Sequence, residues 1–481
     1  LWRLLTRISG LLSTLFLVRL LLPQDFGLIT LATSVSQAID QFSSLGVEEA
    51  VIREPNPSRA LYDSAFTINV IRGLATSALL AAGAWPVAAF FGDMRLFPVL
   101  LVLSAGALIG AFENIGIVDF RRDIAFHREF VLMSVPRLIS IGVAISLAYA
   151  WHSYWALLCA IQTANVLRTA MGYVMHPFRP RFRLTEWRRI AGFSFWTWLL
   201  SLGGLLSDRC PSFVIGRVFN LTQVGVFAVG AEIAALPTTE LISPLARAGF
   251  SGFASAHAKG ETGAVFLRMV AATTLVALPA GVGISLVADP IVKLAFGPTW
   301  QGATGVVQVL GVALTAAILG YICSALLNAH ALLKTMFWIQ GAALVVRFGL
   351  LLLLVVPFGL TGAAIAVGLA TIFEHLLHLV VTLRYLRLPG LALLRATWRS
   401  FVGVAVMAGG MVSVGLGWST VSGDVTAIIE HLSAAVAFGA GLYTATMTVC
   451  WVVAGRPEGA ERDIFGGCAR LVLRFSSWAR R

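Results

Sequence analysis

The sequence predicts an all-α polytopic membrane protein with about 14 transmembrane helices: two pseudo-symmetric six-helix lobes and two extra helices. Three observations lead there. Hydrophobic residues make up 58% of the 481 positions and charged residues only 12%, against about a quarter charged in soluble proteins. Apolar runs near the roughly 20 residues needed to cross a bilayer recur along the whole chain, separated by short polar turns. Lysine and arginine crowd into alternate turns, as the positive-inside rule requires.

The expected spans are 4–21, 27–50, 65–91, 97–117, 130–150, 154–175, 190–216, 222–250, 267–288, 303–328, 333–356, 361–383, 398–418 and 430–453. With both termini cytoplasmic, the inner ends collect Arg3 and Arg7, Arg53 and Arg59, Arg121, Arg122 and Arg128, then the run from Arg179 to Arg189, and later Arg384 to Arg399. The outer side receives Arg19, Arg95, Arg217 and Lys293. The expected organisation is therefore an N-lobe at 1–175, a basic cytoplasmic linker at 176–189, a C-lobe at 190–386, two further helices within 387–454, and a basic tail at 455–481. In that tail Ile464, Cys468, Leu471, Phe475 and Trp478 share one helical face, the pattern of a helix lying on a membrane surface.

A net charge of +12 would suit nucleic acid in a soluble chain. Here it is the positive-inside signal together with affinity for anionic lipid headgroups, and no nucleic-acid partner is expected. Five scattered cysteines imply neither a disulfide framework nor a zinc site. Phosphate-binding loops and nucleophile elbows are missing from the sequence. Glu374, His375 and His378 do not follow the HExxH order, so they read as the polar inner half of a helix; no metal and no cofactor is expected, and neither is an enzyme.

One stretch is repeated. Arg19-Leu-Leu-Leu-Pro-Gln-Asp-Phe-Gly27 matches Arg217-Val-Phe-Asn-Leu-Thr-Gln-Val-Gly225 in spacing. Phe91-Gly92 and Phe296-Gly297 give a weaker echo. Repeated hairpins at a steady offset indicate an internal duplication, a common transporter design.

Charges inside the spans are costly and mark function by default. Arg72, Arg137, Arg168, Arg209 and Arg347 lie within apolar segments, and Arg7 sits on the same helical face as Arg3 near an inner mouth. Guanidiniums bind phosphate in bidentate fashion, so a cavity lined by them suits an anionic substrate such as a pyrophosphate or an acidic sugar. Taken singly, each equally fits an internal ion pair, for example Arg209 or Arg168 with Asp208 or Glu232. Asp40, Asp208, Glu232 and Glu240 are the acids placed to carry a coupled ion. Pro237 and Pro244 flank Glu240 and predict a broken helix with open carbonyls.

Three stretches resemble the polysaccharide transporter family of lipid-linked oligosaccharide flippases, within the multidrug/oligosaccharidyl-lipid/polysaccharide exporter superfamily. They are Arg19 to Leu28, Asp208-Arg209 with Ile215-Gly216-Arg217 and Val224 to Phe227, and Ala231 through Pro237-Thr-Thr-Glu240 to Arg247. The last is the most specific, although Phe250-Ser-Gly-Phe253 lacks the proline that often closes that pattern. The resemblance implies two six-helix lobes around a cavity, with the two extra helices forming a groove for a polyprenyl tail. It implies movement of an undecaprenyl-diphosphate-linked oligosaccharide across the bacterial inner membrane by alternating access, coupled to a proton or sodium gradient. Implied partners are that glycan lipid, membrane lipids, and the polysaccharide polymerase and chain-length machinery. The competing readings are a multidrug/cation antiporter of the same superfamily, which favours an acidic, aromatic cavity, and a membrane-embedded glycan polymerase or ligase, which needs a large outer loop.

Overall fold

The structure, a computed structural model, describes residues 2–43, 47–54, 56–123, 125–190, 195–239, 253 and 261–456. Every regular element among them is helical. The chain divides into two compact units, Leu1–Ala228 and Val229–Arg481.

The first unit runs through α1 (Trp2–Leu20), α2 (Pro23–Ser43), α3 (Val47–Arg53), α4 (Arg59–Phe91), α5 (Leu96–Ala111), α6 (Asp119–Arg122), α7 (Phe126–Trp151), α8 (Trp155–Met175), α9 (Trp187–Ile190), α10 (Phe195–Val218) and α11 (Leu221–Ala234), the last ending just inside the second unit. Ser58 starts α4 by accepting a hydrogen bond from the Leu61 N–H (3.1 Å), which satisfies one of the orphan donors of a helix N-terminus. Gly92 ends α4 at φ 73°, a left-handed position that favours glycine. Leu28, Leu31, Leu80, Leu96, Leu100 and Leu158 form the apolar centre where α2, α4, α5 and α8 meet.

Between α5 and α6 the chain turns through 72°. Asn114 makes that turn. Its Oδ1 accepts from the Gly116 N–H (2.9 Å), while its Nδ2 donates to the Phe178 carbonyl (2.9 Å). A neighbouring strap is held the same way. Residues 176–185 lack regular structure, yet the Arg181 N–H donates to Asp63 Oδ1 (2.8 Å), the Arg183 N–H to Thr67 Oγ1 (2.9 Å) and the Glu186 N–H to Ser64 Oγ (3.1 Å). Buried side chains of α4 thus satisfy the backbone of the basic linker, and Arg179, Arg181 and Arg183 stay exposed.

The two copies of the repeat meet each other. A Cβ on Gly27 would collide with the Leu221 carbonyl and come within 2.9 Å of the Gly225 nitrogen; a Cβ on Gly225 would collide with the Pro23 carbonyl and lie 2.9 Å from the Gly27 nitrogen. Pro23 and Leu221 hold the same place in the two copies, as do Gly27 and Gly225. The contact is therefore reciprocal, and it needs glycine for close backbone approach.

The second unit contains α12 (Thr262–Leu286), α13 (Ala288–Phe296), α14 (Ala303–Ala316), α15 (Ile318–Ala329), α16 (Leu333–Leu386), α17 (Gly390–Ser413) and α18 (Val425–Val453). A straight α16 of 54 residues would be about 80 Å long, far more than a bilayer. Gly359 breaks it, at φ 60° and ψ −141°, and Arg347 bonds to Thr371 across the break. Residues that far apart in sequence touch only if the chain folds back, so α16 is a hairpin of two arms. Gly297, the counterpart of Gly92, also leaves its helix at positive φ (85°), but its ψ of −175° sends the chain in another direction.

Six of the described helices are long and apolar enough to cross a membrane, or eight if two bent pairs each count as one span. The α16 hairpin is one of the six. Helices α1, α2, α8 and α10 have 19 to 24 residues, and each is interrupted by charge, such as Arg3 and Arg7, Asp40, Arg168, or Asp208 and Arg209. After α11 the helix is interrupted at Ala235, just ahead of Pro237, whose ring removes a backbone donor. Glu240, Pro244, the Arg7 side chain and the tail from residue 457 lie outside the described residues.

Candidate functional site

Helix α2 carries a polar edge inside the first unit. Ser34, Gln37, Asp40 and Gln41 recur at spacings that put them on one side of a helix. Two of the intramembrane arginines reach this edge from different helices. Arg209 of α10 donates from Nη2 to Gln37 Oε1 (2.7 Å). Arg72 of α4 places Nη1 3.9 Å from Asp40 Oδ1, one turn further along α2. Trp198 Nε1 donates to the Gln41 carbonyl (3.2 Å), fixing α10 on the same edge. The Nε atoms of both arginines are buried without a hydrogen-bond partner. Buried donors are ordinarily satisfied, so the pair retains donor capacity in an arrangement suited to an anion.

The two arginines differ electrostatically. Gln37 is neutral and leaves the positive charge of Arg209 in place. Asp40 offsets part of the charge of Arg72. Asp208, adjacent to Arg209, is exposed, because consecutive helical positions point about a hundred degrees apart.

The other candidates lie elsewhere. Arg168 is paired with Glu113 (Nε to Oε1, 2.7 Å) between α8 and the end of α5. Arg137 on α7 is exposed, and its guanidinium fills the space that a side chain on Gly10 of α1 would need. Arg347 belongs to the second unit, buried at 6% exposure, and donates from Nη2 to Thr371 Oγ1 (2.9 Å) with Glu374 at 3.9 Å. Glu232 is exposed on α11. Among the described residues no group of histidine, cysteine and acidic side chains has the arrangement of a metal site. Gln37 and Glu113 were not singled out by sequence reasoning. The polar spacing along α2 was the available signal for Gln37; Glu113 had none beyond being an acid at a helix end.

At the helix ends, electrostatics tie loops down. Asp93 accepts from Arg95 Nη2 (2.7 Å) and from the Arg95 backbone N–H (2.9 Å). Burial pushes the Asp93 carboxyl up, but the hydrogen bonds and charge of Arg95 together hold it below its ordinary value. His176, at the end of α8, has Nε2 3.3 Å from Asp119 Oδ2. Burial lowers its pKa from 6.5, and the pull of Asp119 only partly opposes this.

The second unit also holds an apolar cavity of about 520 Å³ between α12, α13, α17 and α18. Pro279, Ile284, Met407, Met411 and Tyr443 are among its walls. The one hydroxyl of that group is satisfied, since Tyr443 donates to the Leu275 carbonyl (2.7 Å). The loop that closes α17 onto α18 is pinned nearby by Asp289, which accepts from the Val421 N–H (2.9 Å) and pairs with Lys293 (2.9 Å).

Residues 16–305 match the family described as polysaccharide biosynthesis protein. The succinoglycan biosynthesis transport protein ExoT of Rhizobium meliloti is 22% identical over 303 residues, which cover 61% of this chain and 60% of ExoT. The chain thus spans about three-fifths of that relative's length. Two solved structures share the fold. The lipid II flippase MurJ in an inward closed conformation superposes with a TM-score of 0.72 at 13% identity, covering 95% of this chain and 99% of that one. An inward-facing multidrug resistance MATE family transporter of the MOP superfamily gives 0.65 at 16% identity, covering 79% of this chain and 94% of its own. With the matched segment taking in the α2 edge, Arg72 and Arg209, the chain belongs to the polysaccharide biosynthesis protein family.

Proposed function

We propose that the protein is a transporter that moves a polyprenyl-diphosphate-linked oligosaccharide across the bacterial inner membrane by alternating access. The observation that carries this is the pair Arg209 and Arg72 on the α2 edge. Two guanidiniums with unspent donors, one of them held by a neutral amide, suit a diphosphate or an acidic sugar. Family membership and the fold shared with a flippase over 95% of the chain support the reading.

In this proposal about 14 spans form two six-helix lobes and two extra helices, with both termini cytoplasmic. The Arg19–Gly27 and Arg217–Gly225 turns are the pivot, because the two glycines make a close reciprocal contact there. Asp40, Asp208, Glu232 or Glu240 carry the coupled proton or sodium ion. Polysaccharide polymerase and chain-length proteins act downstream. A multidrug antiporter is the competing reading; its fold relative covers a smaller share of the chain, and arginine at the α2 edge does not suit a cationic drug.

The test is leaflet translocation of a labelled undecaprenyl-diphosphate oligosaccharide in proteoliposomes, wild type beside Arg209→Ala and Arg209→Lys. Protein-dependent movement that is lost in the alanine variant and partly kept in the lysine variant supports the proposal. Counterflow of a cationic drug without lipid movement overturns it.

A further inference from the structure

The second unit holds an ionisable cluster separate from the α2 edge. On the second arm of α16 lie Thr371, Glu374 with His375, His378, Thr382 and Tyr385. Their steps of three and four residues put them along one face of the helix, a stripe of about 21 Å. Thr371, His378 and Thr382 are buried. One end of the stripe meets Arg347, bonded to Thr371 and 3.9 Å from Glu374. The other end is Tyr385, whose hydroxyl lies 2.8 Å from His330 Nδ1.

Between these ends the imidazoles adjoin. The His375 and His378 rings are 6.0 Å apart. His378 Nδ1 donates to the Glu374 carbonyl (3.0 Å), so Nε2 is its proton-accepting nitrogen. His375 Nδ1 is buried with no hydrogen-bond partner. Its ring packs 4.7 Å from Tyr321 of α15, where Gly320 leaves the space it occupies. From the other packed elements, α15 adds Cys323 and α14 adds no titratable group. Phe266 and Val270 of α12 and Leu393 of α17 pack in one apolar core cluster with Cys323. Along the stripe, the His378 ring, Glu374 and Arg347 are the ionisable neighbours of His375. An apolar helix does not need such a stripe to fold, and ionisable chains within membrane segments are a hallmark of proton paths.

We propose that this stripe is a second proton-binding site, beside the acids named above, through which a proton gradient acts on transport, with Glu374 as the proton acceptor; the inference rests on the transporter reading above. A proton entering at the His330–Tyr385 end rests on His378 Nε2, passes to His375 and ends on the Glu374 carboxylate, which becomes a neutral acid while both imidazoles return to neutral. The guanidinium of Arg347 then loses its counter-charge and keeps its bond to Thr371. Since Arg347 and Glu374 sit on opposite arms of the α16 hairpin, the proton alters the attraction between two membrane helices.

Two measurements test it. Infrared difference spectra of the purified protein on a pH jump report carboxyl protonation without any substrate: a protonated-carboxyl band lost in Glu374→Gln and slowed in His378→Gln is expected, and an unchanged band overturns the proposal. Proteoliposomes carrying labelled undecaprenyl-diphosphate oligosaccharide and a lumenal pH dye then report coupling. Glu374→Gln should keep gradient-free movement within about threefold while losing at least tenfold of the gradient-driven gain. Tyr385→Phe, at the stripe's end and away from the Arg347 pair, should slow the lumenal pH change without lowering stability. Equal gradient response in wild type and Glu374→Gln makes the pair purely structural. A wild type that shows the Glu374 band but moves no lipid retains the proton site and refutes the flippase reading.

Discussion

Arg209 in the first unit and Arg347 in the second are the same residue type at similar places in apolar helices, yet their surroundings assign them different work. Arg209 meets the neutral amide of Gln37, so its charge is not cancelled, and its Nε has no partner. Arg347 is sealed between the arms of α16 with Thr371 and Glu374. A charge left with a neutral partner is available to a ligand; one enclosed with a carboxylate serves the protein itself. A buried arginine is therefore only half a description, and the partner supplies the other half.

The comparison breaks most readily at Arg347. Replacing it with Met strands Glu374, and removing one member of a buried pair costs about 3–5 kcal/mol. Thermal unfolding should show that loss, and Arg347→Met with Glu374→Gln should recover most of it; equal loss in the double variant would mean the two do not act as a pair. Next comes Arg209→Ala, which should leave thermal stability nearly unchanged but weaken binding of the diphosphate lipid. A charged hydrogen bond contributes about 1.5–3 kcal/mol, so affinity should fall about 10- to 150-fold. A fall in stability matching that in affinity would make Arg209 structural like Arg347.

Smaller effects sharpen the contrast. Arg168→Ala removes a partly exposed pair with Glu113, whose side chains are 38% and 21% exposed; pairs reached by solvent contribute about 0–1 kcal/mol, and neither melting temperature nor lipid affinity should move much. The weakest effect concerns His176. Its folded pKa lies below 6.5 because burial disfavours the charged form, so the unfolded segment binds more protons in the window between the two values. Stability then rises with pH across that window and is lost as pH falls below 6.5. Protection of the Arg181 and Arg183 amides, corrected for the intrinsic slowing of exchange in acid, should fall on acidification, and His176→Gln should flatten the dependence.

Much of this was legible in the sequence because it is local. Apolar runs, the prolines of the eighth span and the interruption at Ala235 follow from composition within a turn or two. The match of Arg19–Gly27 with Arg217–Gly225 signalled a repeat, and the structure adds that the copies touch. Pairings across distant helices were not legible. No periodicity near Arg209 points to Gln37, and Arg168 joins Glu113 rather than Asp208 or Glu232 because folding, not spacing, brings α5 beside α8. The docking of the basic linker onto Asp63, Ser64 and Thr67 was hidden likewise, since polar residues at the start of a span read first as headgroup contacts.

The reciprocal contact of Gly27 and Gly225 has the geometry of an isologous interface, the kind that joins two identical subunits, here closed within one polypeptide. In such an interface each surface is both donor and recipient of the same fit. A methyl group added on one side shifts the backbone that the other side must approach. The two positions are therefore one mutational unit: Gly27→Ala with Gly225→Ala should cost much less than the two changes summed, as residues sharing a contact are non-additive. Sequence drift at one hairpin is constrained by the other, and the shared fit persists as a rule about which substitutions can coexist.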